Sequence, residues 1–173
     1  MWLTASGAFV ALLACAAWFD VRVRRIPNAL TVTGLVVALA LRALVGGDAL
    51  LAGAAGAGLA LLVALPPFAL RALGGGDVKL LAAVGGFMGP GLLPGALLVI
   101  AVLGGALALC EAARRRALTR TLVNTYGFAK QWATFGRFGI TPAISSSGRL
   151  TIPYGVAIAV GSLVWWLWEG AGL

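Results

Sequence analysis

Six stretches of this chain are almost uninterrupted apolar sequence: Trp2 to Phe19, Ala29 to Val45, Ala49 to Leu65, Val78 to Met88, Leu92 to Cys110 and Ile152 to Trp168. About 20 helical residues cross the hydrocarbon core of a bilayer, and shorter segments are tolerated inside a bundle. Composition agrees: 61% of the residues are hydrophobic and 10% charged, so in water the chain would expose far too much apolar surface. The expected fold is all-α, a polytopic membrane protein with about six transmembrane helices in a single domain over residues 1–173. The fourth stretch is the weakest, because Gly85, Gly86, Gly89 and Pro90 break it early. Glycine, at 25 residues, suits helices whose backbones approach closely in lipid. With no histidine and only Cys15 and Cys110, neither a zinc cluster nor a disulfide framework is supported, and both thiols are expected to be buried packing groups.

Orientation follows from the cations, since Lys and Arg in short loops stay on the cytoplasmic side. Arg22, Arg24 and Arg25 follow the first stretch, and Arg71 and Lys79 bracket the loop after the third. Arg114, Arg115, Arg116, Arg120, Lys130, Arg137 and Arg149 fill the polar segment at about 111–150. Six alternating spans put all of these on one face and leave only Arg42 towards the other. The net charge of +8 is therefore an orientation signal with a role towards anionic lipids, and needs no nucleic-acid partner. Leu12-Leu13-Ala14-Cys15 looks like a lipoprotein cleavage site, but a signal peptide carries its cations before the apolar run, and here they come after it. Within the polar segment Leu118, Leu122, Tyr126, Ala129 and Ala133 recur at helical spacing. That pattern fits a helix lying on the membrane surface equally with a solvated connecting loop.

Five acids occur in the whole chain. Asp48 and Glu169 read as solvated helix ends, and Glu111 as a partner of the arginines after it. Asp20 and Asp77 differ. Asp20 closes the first apolar stretch and opens Asp20-Val21-Arg22-Val23-Arg24-Arg25-Ile26-Pro27-Asn28, while Asp77 sits in Gly74-Gly75-Gly76-Asp77-Val78-Lys79. Both fall on the cytoplasmic rim. Three glycines let the backbone turn and let another backbone come close, as a peptide substrate requires. The same run lacks the spacing and the Ser/Thr of a phosphate-binding P-loop. Two nearby carboxylates in a partly dry site do not readily both ionise, so they are expected to titrate as a coupled acid/base pair.

The run from Gly74 to Lys79 resembles the glycine-x-glycine-aspartate motif of the prepilin peptidases. Asp20 followed by Arg25-Ile26-Pro27-Asn28 resembles the other active-site loop of that family, particularly of its small members serving tight-adherence (Flp-type) pili. Ile152-Pro153-Tyr154-Gly155 is similar to a further recurrent segment. The resemblance implies an aspartic endopeptidase of the bacterial inner membrane that removes the basic leader of prepilins or pseudopilins at the cytoplasmic face. It makes Asp20 and Asp77 catalytic, with Arg25, Pro27, Asn28, Gly74, Gly76, Lys79 and Pro153 supporting the site or the substrate, and requires no metal or other cofactor. Membrane lipids and the prepilin are the implied partners. The larger members carry an amino-terminal domain with two cysteine pairs, and many also methylate the new amino terminus. Here the first aspartate follows 19 residues and no cysteine pair exists, so proteolysis alone is expected.

Other readings fit the residues less well. The second motif also resembles presenilin-type intramembrane proteases, but Phe19-Asp20 replaces their Tyr-Asp and no Pro-Ala-Leu triplet occurs. A small proton- or ion-coupled transporter subunit is the alternative from another class, because intramembrane carboxylates commonly mark ion paths. A coupling acid belongs near the midplane, whereas Asp20 and Asp77 lie at segment ends.

Overall fold

The computed structural model of the protein describes residues 2–69, 72–114 and 154–171. They form five helices and, among the described residues, no strand: α1 (Trp2–Val23), α2 (Asn28–Ala43), α3 (Gly47–Ala69), α4 (Gly75–Arg114) and α5 (Tyr154–Ala171). Three of them, α1, α3 and α4, are long and apolar enough to cross a membrane, while α2 and α5 are shorter apolar helices. The helical class is thus the one composition implies. The element count differs from six because the fourth and fifth apolar stretches belong to one element. Gly89 interrupts α4 with φ 72° and ψ 177°, and Pro90, which has no amide hydrogen to donate, follows it.

That interruption reverses the chain. Tyr154 packs on Gly104 and lies within electrostatic reach of Asp77, so both parts of α4 come close to one residue. In an unbroken helix, 27 residues at 1.5 Å each would separate them by about 40 Å. The second part of α4 then runs antiparallel to α5: Gly95 packs on Trp165, Ile100 on Gly161 and Gly104 on Tyr154.

One proline and a left-handed residue shape the turn that matters most. The Arg24 amide donates to the carbonyl of Asp20 at 3.0 Å, closing α1, and Arg24 itself has φ 52°. Pro27, extended at φ −62° and ψ 135°, caps the start of α2, where its missing amide costs nothing. The loop between two antiparallel helices is thereby only four residues long.

Packing relies on aromatic rings and on bare backbone. Phe9 of α1 is fully buried between Phe87 of α4 and Trp166 of α5, with ring centroids 5.0 and 4.9 Å away. The tilted geometry suits the ring quadrupoles. Trp166 Nε1 donates to Ser6 Oγ at 3.3 Å, so the indole is buried without abandoning its proton. Helix α3 meets α4 where Gly56 and Gly85 touch through backbone; a Cβ on either would overlap the other's carbonyl. Small residues serve this purpose in lipid, where the hydrophobic effect gives helices no reason to associate. Trp18, Leu51, Leu62, Leu98 and Trp168 are exposed, as expected of side chains that face acyl chains. Cys15 and Cys110 are free and exposed, not buried. An apolar run does not reveal which of its sides points inward, and a thiol is apolar enough to face lipid.

Arg42, the cation that topology left apart, ends α2. Its Nη2 donates to the Phe87 carbonyl at 2.7 Å and its Nη1 to the Ala49 carbonyl at 3.3 Å. Through Phe87 it caps the first part of α4 just before the break at Gly89, where a helix C-terminus attracts positive charge, while its Nε is buried without a hydrogen-bond partner.

The chain divides into two compact units, Met1–Gly104 with Pro153–Leu173, and Gly105–Ile152. Of the second, the described residues are the helical ones from 105 to 114. The segment from Leu118 to Ala133, whose pattern fits a surface helix and a connecting loop equally, lies outside the described residues.

Candidate active site

Asp20 occupies the last turn of α1 and is 7% exposed. A carboxylate that buried needs hydrogen-bond donors, and they come from the far end of the sequence. The amide of Val156 donates to its Oδ2 at 3.2 Å, and the Gly155 backbone donates as well. These are among the first amides of α5, which have no carbonyl partner within their own helix. Asp20 therefore caps α5 from another helix, and the positive end of the helix dipole favours its charge. Gly155 has no room for a side chain: a Cβ there would lie 2.8 Å from Asp20 Oδ2 and 2.9 Å from Ile26 Cδ1.

Asp77 sits in the first turn of α4, half-buried. Its Oδ2 accepts from the amide of Gly74 at 3.2 Å, the reach-back of a third-position acid onto the residue before its own helix. The Val78 amide returns to the Gly74 carbonyl at 3.2 Å and completes the turn. Local capping alone accounts for an acid at this position. What it does not account for is that Asp77 lies within electrostatic reach of Asp20. Two carboxylates repel, and a cap has no need of a second one.

Ile26 brings the two loops together. It is 8% exposed and packs on one side against Gly155 and on the other against Gly76, where a Cβ would lie 3.2 Å from Ile26 Cβ and 3.3 Å from its carbonyl oxygen. Gly76 precedes Asp77 and Gly155 follows Tyr154, so one side chain links the backbones that carry both parts of the site. A second link is polar: Lys79 Nζ donates to Asn28 Oδ1 at 2.9 Å, joining α4 to the start of α2.

Of the residues singled out in the sequence, Asp20, Asp77, Asn28, Gly74, Gly76 and Lys79 thus gather at one end of these helices. Pro27 shapes the turn, and Arg25 is exposed in it. Pro153 lies outside the described residues. Tyr154, Gly155, Val156 and Ile26 were not singled out as site residues, though all four touch or neighbour the pair. The signal for three of them was the Pro-Tyr-Gly run opening an apolar helix, which marks an N-terminus with unpartnered amides but not which acid will use them. Among the described residues no three or more His, Cys, Asp and Glu side chains group as a metal site.

Comparison with curated proteins and with solved structures returns no match. Comparison with protein families matches residues 7–109 to one of them. The matched stretch contains both Asp20 and Asp77 with their loops, and it covers more than half of the chain. On that match the chain belongs to the type IV leader peptidase family, a family of peptidases acting on prepilins.

Proposed function

We propose that the protein is a membrane aspartic endopeptidase that cuts the basic leader from a prepilin or pseudopilin, and that Asp20 and Asp77 are its catalytic pair. The observation that carries this reading is that Ile26 packs on both Gly76 and Gly155, so that two carboxyl groups 57 positions apart in sequence, each with its own amide donors, come within electrostatic reach of each other. With the two parts of α4 crossing separately, the chain crosses the inner membrane six times and both aspartates face the cytoplasm. That is where a basic leader stays, while the hydrophobic helix after it lies in the bilayer.

The two carboxyls are dressed differently, and the difference suggests their roles. Asp20 takes amides from the positive end of α5 and is suited to remain ionised. It accepts a proton from water as the oxygen attacks the scissile carbonyl carbon. Asp77, carrying the proton of the pair, polarises the carbonyl oxygen. Collapse of the tetrahedral intermediate breaks the C–N bond, and the proton taken up by Asp20 passes to the leaving amine. No metal, nucleotide or other cofactor enters this scheme, and methyl transfer forms no part of it.

The test is cleavage of a synthetic peptide with a basic leader joined to a hydrophobic helix, in mixed micelles, read by mass spectrometry of the new amino terminus. The wild-type chain should cut before the hydrophobic helix, with or without EDTA. Asp20→Asn and Asp77→Asn chains should not. Turnover by a well-folded Asn variant would count against the reading and turn attention to proton-coupled flux in proteoliposomes.

A further inference from the structure

Ile26 stands in the short loop between α1 and α2, and that loop leaves it little freedom. Arg24 before it is left-handed at φ 52°, and Pro27 after it is held at φ −62° by its ring. The residue is buried, and different atoms of it face two different glycines. Towards Gly76 it presents Cβ, its carbonyl oxygen and its amide nitrogen, which a Cβ on that glycine would approach to 3.2, 3.3 and 3.6 Å. Towards Gly155 it presents Cδ1, which would lie 2.9 Å from a Cβ there. Gly76 is bonded to Asp77. Gly155 belongs to the turn of α5 whose Val156 amide holds Asp20 at 3.2 Å, and a Cβ on Gly155 would lie 2.8 Å from Asp20 Oδ2. Both backbones therefore rest directly on Ile26, at distances that leave no slack for even a methyl group between them.

Resting on the peptidase reading above, we infer that Ile26 is a positioning residue: a rigid spacer that seats the backbone of Asp77 on one face and the Asp20-holding turn of α5 on the other, and so sets the distance between the two carboxyls. A β-branched side chain suits the task. Two heavy atoms on Cβ restrict its χ1 rotation, and a side chain that changed rotamer would hold neither neighbour at a fixed distance. An acid and a base acting together on one water and one carbonyl depend on that distance, since misplacement by about 1 Å costs about 10²-fold in rate. Being buried, Ile26 acts through the two acids and not on the peptide. Its two contacts are made by different atoms, so they can be cut separately.

Ile26→Val and Ile26→Leu in the full chain, with the same leader–helix peptide as substrate, provide the test at a temperature where both are folded. Valine removes only Cδ1, while leucine keeps every carbon but moves the branch away from Cβ. Each should lower kcat by between about 10-fold and 10²-fold, with KM within about two-fold of the native value. A residue that merely fills the core would lower the melting temperature and leave kcat intact, and that result overturns the inference. So does a loss carried by KM alone, because Ile26 would then act through binding. The two faces give a second readout. In the Ile26→Val background the kcat cost of Gly155→Ala should shrink by about three-fold or more, since one of its two close contacts is gone. The cost of Gly76→Ala should stay the same within about two-fold, because the Cβ and carbonyl it meets are unchanged. Relief at both glycines, or at neither, also overturns the inference. Should one of the Ile26 chains fail to fold, kcat and KM of the other decide. Asp20→Asn and Asp77→Asn chains run alongside separate the two levels. Cleavage by either defeats the peptidase reading itself, whereas inactive Asn chains beside fully active Ile26→Val and Ile26→Leu chains defeat the role of Ile26 alone.

Discussion

The two ends of α2 hold charge in opposite ways. At its carboxyl end Arg42 donates to the carbonyl of Phe87, beside the break in α4, and to that of Ala49 in the first turn of α3, so one cation is held by backbone from two other helices. At its amino end, some 21 Å away for 14 helical residues, Asn28 abuts a site where two carboxyl groups are held within electrostatic reach of each other. The first arrangement ties three helices together through two backbone carbonyls. The second costs the fold energy, because two nearby carboxyls do not readily both ionise, and the fold tolerates this because each has its own amides. Opposed placement of this kind is what separates a polar group that holds helices together from one kept for a reaction.

The comparison breaks most directly at the pair. Asp20→Asn or Asp77→Asn should lower leader cleavage by about 10⁴-fold or more, and the double variant should be no worse than either single one, because groups acting as a unit are not additive. The Asn chains should melt in detergent as cooperatively as the wild type, since amides fill the same space. A variant that fails to fold would make these acids structural, like Arg42. The next effect should come from Gly155→Ala, whose methyl group would press on Asp20 Oδ2 and Ile26 without altering either carboxyl. Misplacement by a fraction of an ångström to an ångström should reduce kcat by up to about 10²-fold, measured on the same peptide.

The other end should respond in stability instead. Arg42→Met leaves the Phe87 carbonyl without its side-chain donor, and should destabilise the chain by about 2 kcal/mol. It should appear as a lower melting temperature in detergent, with kcat at a permissive temperature near the wild-type value. Arg42→Lys, a point charge unable to fork between two carbonyls, should recover part of the loss. Smallest of all should be the tie between Lys79 and Asn28. Its exposed side chains limit a hydrogen bond to about 1 kcal/mol, so a double-mutant cycle on melting should give a coupling energy no larger than that. A larger coupling would draw Lys79 from the rim into the machinery.

Much of the site was legible in the sequence because its chemistry is written locally. Asp20 with Pro27 and Asn28, and Asp77 after three glycines, are acids beside backbone-shaping residues in a chain that has almost no other acids. What was not legible is what crosses from one segment to another. Ile26 reads as one more apolar residue until Gly76 and Gly155 are seen on either side of it. Gly155 and Val156 read as the opening of a span until their amides are found at a carboxylate more than 130 positions earlier. Cys15 and Cys110 were misread for a related reason: hydropathy measures how apolar a run is, not which side of the helix meets a neighbour.

By itself the sequence determined that this chain is helical and belongs in a membrane, because a backbone in lipid must satisfy its own hydrogen bonds and the charges are too few and too clustered for anything else. It also determined where each acid stands along its helix, since caps and breaks act over a few residues. Only the tertiary structure decided that α4 folds back at Gly89 and that α5 begins at Asp20. Those outcomes depend on how closely backbones approach at Gly56, Gly85, Gly104 and Gly155 and on where Arg42 finds carbonyls, and such contacts are set by side-chain shape across the bundle. A linear pattern of hydropathy and charge does not carry that information.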